Sequence, residues 1–244
     1  MTAEVLYDRI GRGYALARKT DPRIAAAIEE ALGDAGTVLN VGAGAGSYEP
    51  EGREVTAVEP SAEMIAQRPA GAAPVVRASA EALPFEDDGF DAAMALQTVH
   101  HWPDMEAGLA EMRRVARRTL ILTNEAGPAD DLWLNEYFPG APRGGRTKRV
   151  TACLEGATVT PVPVPRDCAD LFFWALWARP ELFLDDQVVQ SMWIWNIMDP
   201  EQRQAGRERL AADLADGSWD RRHGALREAD ALDVGLRIVS AERV

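Results

Sequence analysis

The sequence predicts an α/β fold: a doubly wound, mostly parallel sheet with helices on both faces and a helical, aromatic-rich cap. Three observations predict it. Short apolar runs that read as buried strands alternate with helical segments through the first half of the chain. A glycine-rich turn follows the first of these runs, in VLNVGAGAGS (38–47). From about residue 127 the alternation gives way to segments crowded with tryptophan and phenylalanine.

Asp21 followed by Pro22 reads as an N-cap with proline at the first helical position. Ile24, Ile28, Ala31 and Leu32 supply the apolar stripe up to Gly33. Strands are predicted at 38–41, 55–58, 75–77, 90–96 and 119–123, with helices at 61–67 and 105–117 between them. In the second helix Met105, Leu109, Met112 and Val115 recur every three to four residues while arginine and glutamate face water. Residues just after Val41, Val58, Arg77, Leu96 and Thr123 should converge, because ligands of such sheets sit at the carboxyl ends of the strands.

Beyond residue 127 the segments 139–149 and 160–167 carry several prolines and read as loop or edge strand. Asp199, Pro200 and Gln202 mark another helix start, and 235–240 reads as a strand returning to the sheet. The expected organisation is a core over 1–126, a substrate cap with an intervening strand over 127–217, and a C-terminal return over 218–244.

The chain has 244 residues, 47% of them hydrophobic, and a formal charge of −13. That acidity opposes nucleic acid as a partner, since phosphate binding needs a basic surface. No signal segment and no apolar run long enough to span a membrane occurs, so a soluble cytoplasmic protein acting on a small molecule is expected. Cys153 and Cys168 lie fifteen residues apart without a zinc-ligand pattern, so two free thiols and no metal are expected. Oligomeric state has no signature in the sequence.

Gly42, Gly44 and Gly46 let the backbone turn tightly and admit an adenosine-bearing ligand where a Cβ would intrude. Glu59, at the end of the next predicted strand, offers acceptors for both ribose hydroxyls. Nicotinamide dinucleotide and S-adenosylmethionine both meet these demands. The residues after the turn, Tyr48 to Gly52, include Glu49, Pro50 and Glu51, a poor setting for a pyrophosphate and for a regular helix.

The segments VLNVGAGAGSYEP, VTAVEPSAEMIAQ, VVRASAEALPFEDDGFDAAMALQTVHHWPD and MRRVARRTLILTNE resemble, in order and spacing, the class I S-adenosylmethionine-dependent methyltransferases. The similarity is to the ubiquinone/menaquinone-type small-molecule group and covers about a third of the chain. It implies a Rossmann-like methyltransferase fold, with Gly42, Gly44 and Gly46 along the methionine and ribose and Glu59 on the ribose. Ser79 stands where the family commonly places an acid that meets adenine, which leaves a weaker side-chain contact there, with Ala80 and Glu81 beside it. The stretch YDRIGRGYALARKTDPRI resembles the helix that covers the cofactor, with Tyr14 over the pocket and Arg18 pairing with the methionine carboxylate.

Methyl transfer from a sulfonium is an in-line displacement, so the protein must chiefly align the two partners and exclude water; a base is needed only when the acceptor loses a proton. His101 and His100, directly after the fourth predicted strand, are the base candidates, and Glu125 after the fifth is a third. Each has a structural alternative: the histidines in ordering the loop before Trp102-Pro103-Asp104, the glutamate as a solvated strand-end acid. Trp102 packs on the adenine or on the acceptor, and His223 is a remote candidate for the acceptor site. Five of the seven tryptophans lie between Trp174 and Trp219, as core residues or as an apolar acceptor chamber. Of Trp193 and Trp195, two apart on a helix, one should face inward and the other the ligand.

The expected reaction is methyl transfer from S-adenosylmethionine, leaving S-adenosylhomocysteine, to oxygen or nitrogen of a small, partly apolar metabolite, a natural product among the options. The alternatives are an NAD-dependent oxidoreductase and a non-catalytic S-adenosylmethionine-binding protein.

Overall fold

The computed structural model describes residues 19–142 and 144–243. Helix α1 (Pro22–Leu32) starts on Asp21, whose side chain accepts the Arg23 N–H, and carries proline in its first turn. Its stripe of Ile24, Ile28 and Leu32 is buried, each side chain contributing about 1.5–3 kcal/mol. Then follow β1 (Thr37–Val41), β2 (Glu54–Val58), α2 (Ala62–Ala66), β3 (Val75–Val76), β4 (Phe90–Leu96), α3 (Met105–Val115) and β5 (Ala116–Asn124). The third helix is two residues shorter than its sequence pattern. Ala116 is already extended at φ −138° and ψ 154°, and the ladder to β4 begins there, Phe90 opposite Ala116. Strand pairing overrides the helical preference of Arg117.

The second half contributes α4 (Trp133–Tyr137), α5 (Thr147–Cys153), β6 (Thr158–Pro161) and β7 (Val164–Pro165). After two 3-10 turns at Phe173–Leu176 and Pro180–Leu184 come α6 (Asp186–Gln190), α7 (Trp193–Ile197), α8 (Pro200–Ala215) and α9 (Ser218–His223). Strands β8 (Ala231–Leu232) and β9 (Leu236–Glu242) close the chain. Helix α5 begins inside the segment expected to be loop or edge strand, because Val150 and Leu154 bury against the sheet.

Among the described residues the main sheet has seven strands in the order β3-β2-β1-β4-β5-β9-β6. The first five are mutually parallel, while β9 runs antiparallel to both β5 and β6. Proline is tolerated at Pro161 because β6 is the sheet edge. Alternation along each central strand sends Val38 to one face and Leu39 to the other. One face is covered by α1 and the aromatic segments of the second half, including Trp133, Phe138, Trp177, Phe183 and Trp219. The other is covered by α3 and α5. Most of the aromatic-rich region is thus core: Trp133 Nε1 donates to Trp177 O at 2.6 Å and Trp177 Nε1 to Val164 O at 3.1 Å. No helix among the described residues is long and apolar enough to cross a membrane.

Candidate functional site

The carboxyl ends of the parallel strands meet in a cavity of about 250 Å³. Gly42 and Gly44 line it from the end of β1, Glu59 and Ser61 from β2, Ser79, Ala80 and Glu81 from the segment after β3, and Gln97, Thr98 and His101 from beyond β4. Trp102 and Pro103 complete that wall. Convergence of strand ends is the arrangement that doubly wound sheets use for ligands.

All three glycines of the turn have positive φ, +71° at Gly42, +53° at Gly44 and +92° at Gly46. They differ in surroundings. A Cβ on Gly42 would stand 2.3 Å from Thr98 Oγ1, so that glycine answers to packing inside the protein. Among the described residues a Cβ on Gly44 would meet only the terminal methyl of Met64, at 3.2 Å, and Gly44 lines the cavity. Gly46 lies beside the buried ion pair of Glu49 and Arg68, 2.5 Å apart. Glu49 thereby points its charge at Arg68 and at the Ala73 N–H rather than at a ligand. Residues 42–53 form turns without a helix, so no helix N-terminus follows the glycines to receive a pyrophosphate.

Glu59 is 6% exposed, and its two carboxylate oxygens are held separately. Oε2 accepts the Gly44 N–H at 2.8 Å and Oε1 accepts the Ser61 N–H at 3.0 Å. Burial pushes its carboxyl above the ordinary value, against the opposing pull of those two N–H groups and of Arg68. Each oxygen keeps a lone pair for a further donor.

A second cavity of about 400 Å³ adjoins the first, and Gln97 and His101 line both. Phe172, Trp174, Met192 and Trp193 make its apolar walls. The ring centroid of Trp193 lies 5.1 Å from that of His100 and 5.1 Å from that of His101. Trp195, by contrast, is buried 5.5 Å from Phe138. Gln97 adopts φ +55°, a left-handed conformation costing a non-glycine residue about 1–2 kcal/mol, and its N–H is fixed to Leu122 O at 2.8 Å. Its Nε2 is buried without a hydrogen-bond partner among the described residues.

Several expected site residues fall outside this arrangement. Tyr14 and Arg18 lie outside the described residues. Glu125 lines neither large cavity; its Oε2 accepts from Arg237 Nε at 2.6 Å, in an ion pair that Asp233 shares. His223 also lines neither and packs against Trp219, 5.5 Å between ring centroids. His100 lines the second cavity only. Gln97, which sequence reasoning passed over, occupies the position after Leu96 that the strand-end rule singles out. Gly108 was also missed: a Cβ there would stand 2.5 Å from Trp102, so its absence lets the indole lie on α3.

Fold and strand-end cavity together define a class: both are those of the class I S-adenosylmethionine-dependent methyltransferases, whose cofactor is S-adenosylmethionine. Residues 39–122 match the methyltransferase domain family. A crystal structure from Anabaena variabilis, of a protein assigned as a methyltransferase of an antibiotic biosynthesis pathway, is 28% identical with a TM-score of 0.85, over 93% of this chain and 99% of that one. The uncharacterised protein YafE of Escherichia coli K12 is 35% identical over 60 residues, 22% of this chain and 29% of its own length. The chain thus spans under a third of that curated relative in the matched stretch. Phosphoethanolamine N-methyltransferase 2 of Haemonchus contortus, solved with S-adenosylhomocysteine, shares the fold at 13% identity and a TM-score of 0.58, over 100% of this chain and 60% of that one.

Proposed function

We propose that this chain transfers a methyl group from S-adenosylmethionine to oxygen or nitrogen of a small, partly apolar metabolite. The observation that carries the reading is the meeting of two cavities at Gln97 and His101, one bounded by the glycine turn and Glu59, the other by aromatic side chains. The residues of the first suit the cofactor. Glu59 has lone pairs to accept from two ribose hydroxyls, Gly44 leaves room for close approach, and Ser79, Ala80, Glu81 and Trp102 form the adenine end. Gly42 and Gly46 set the turn's path, and Tyr14 and Arg18 belong to the segment that would cover the methionine end.

The bound cofactor supplies an electrophilic methyl group on sulfonium sulfur. The chain's own work is alignment and exclusion of water. Within residues 127–217, the cap outside the core helix α5 and the sheet strand β6, residues 171–174 and 192–194 wall the acceptor chamber, and Trp193 packs beside the histidine pair. His101 is the base for an acceptor that loses a proton on methylation, because it borders both cavities; His100 supports it. Full-length similarity to the Anabaena variabilis protein favours a specialised natural product as the acceptor.

Calorimetric titration with S-adenosylmethionine, S-adenosylhomocysteine and NAD in parallel tests the cofactor. Saturable binding of the first two and not of NAD is expected. The transferase reading then requires S-adenosylhomocysteine to form when metabolite pools are added, and binding with no turnover on any pool would replace it with a non-catalytic one.

A further inference from the structure

We infer that the acceptor is an anion, an apolar or aromatic metabolite bearing a carboxylate or comparable oxyanion, and that Arg146 receives the charged end. The inference rests on the second cavity being the acceptor chamber. The chain holds 39 acidic residues against 26 lysines and arginines, yet no aspartate or glutamate is among the described residues lining this cavity. Arg146 is the only lysine or arginine among them. Arg114, Arg207, Arg227 and Arg237 each hold a carboxylate, whereas Arg146 has no ion-pair partner among the described residues.

The backbone of Arg146 is anchored beside the end of β5. Its N–H and that of Gly145 both donate to Asn124 O at 3.2 Å, and its own carbonyl accepts from Val150 N at 2.9 Å. The side chain of Arg146, an exposed residue, therefore starts from a fixed point on the lining of a chamber whose apolar walls are Phe172, Trp174 and Trp193. A chain of net charge −13 repels anions at long range, so a small anion needs such a local cation to be retained. Arg146 lines the second cavity and not the first, which puts it away from the junction where transfer occurs. It is a specificity residue, acting on acceptor affinity rather than on the chemical step.

A matched pair of fluorescent probes tests this on the full chain saturated with S-adenosylhomocysteine: anionic 8-anilinonaphthalene-1-sulfonate and neutral N-phenyl-1-naphthylamine. The wild-type protein should bind the anion about tenfold more tightly than the neutral probe, the scale of one charge-assisted hydrogen bond. Arg146→Gln should erase that preference while leaving the neutral probe unchanged, and Arg146→Lys should keep most of it. Equal binding of the two probes by the wild type, or a preference that survives Arg146→Gln, overturns the anion inference. Phe172→Ala separates the two levels: if it weakens neither probe, the chamber reading itself falls, and if it weakens both without an anion preference, only the anion inference does.

Discussion

Glu59 Oε2 accepts the Gly44 N–H at 2.8 Å, locking the end of β2 to the middle of the glycine turn. The carboxylate is thus part of the turn's architecture before any ligand arrives. Glu59→Gln keeps the shape but turns an NH₂ toward one of two N–H donors, so the Kd for S-adenosylmethionine should rise about 10- to 100-fold, the worth of one or two hydrogen bonds to a charged group. Unchanged affinity by calorimetry would remove Glu59 from the ribose site.

The same residue gives a pH dependence. Burial raises its carboxyl above the ordinary value, so the free fold takes up a proton there more readily than the unfolded chain does. The penalty for holding Glu59 ionised is present above its folded pKa and is relieved as pH falls through it. Acidification should therefore weaken cofactor binding, beginning above the usual carboxylate range near pH 4.3, without Glu59 lowering the melting temperature. Glu59→Gln should flatten that limb of the affinity profile, and an unaltered limb would assign it to another group.

Gly42 and Gly44 should separate in their effects. Gly42→Ala adds a methyl against Thr98 at a positive φ, so its cost falls on folding, about 2–4 kcal/mol by urea denaturation. Among the described residues Gly44→Ala displaces only the flexible end of Met64; it should cost about 1–2 kcal/mol from its backbone angle, while weakening cofactor binding more than Gly42→Ala does in the fraction that remains folded. Equal losses of stability in the two variants would mean that Gly44 too serves packing.

The contrast between these glycines shows where the sequence is readable. Element α1 was legible because Asp21, Pro22 and the 3.6-residue stripe agree, and β1 because an apolar run ends on glycine. The α3–β5 boundary was not, since Ala116 and Arg117 are drawn into a ladder with residues some 26 positions earlier. Helix α5 was hidden by Gly144 and Gly145 just before it. The convergence of strand ends on a cavity was legible, but nothing in the string LQTVHHW encodes the left-handed backbone of Gln97. Likewise, the partner that occupies Glu125 stands 112 residues away, beyond the reach of any local pattern.

Asp21 makes a prediction about stability rather than ligand binding. Its fully buried carboxylate accepts from Arg23 N at 2.9 Å, from the Arg23 guanidinium and from Ala169 N at 2.9 Å, tying α1 to the second half of the chain. Burial alone would raise its carboxyl, but those donors outweigh it and hold the group well below the ordinary range. Asp21→Ala should cost about 2–4 kcal/mol at neutral pH. For a depressed carboxyl the stabilisation is full above the unfolded value near pH 3.9 and is lost as pH falls toward the folded one, so the gap between wild type and variant should narrow only below about pH 4. A gap independent of pH would reduce Asp21 to a neutral cap.

His101 and Glu125, both strand-end candidates in the sequence, should part company in turnover. His101 borders both cavities, whereas Glu125 is spent on Arg237, which is 5% exposed. With an acceptor that loses a proton, His101→Ala should lower kcat about 10²- to 10⁴-fold while the Kd for S-adenosylmethionine moves only severalfold. Glu125→Gln should leave kcat per folded molecule unchanged and instead destabilise the fold by about 1–3 kcal/mol, because Arg237 would keep only Asp233 as an ionic partner. The reverse pattern, full turnover without His101 and loss without Glu125, would move proton transfer to the far side of β5 and return His101 to the task of ordering the loop before Trp102.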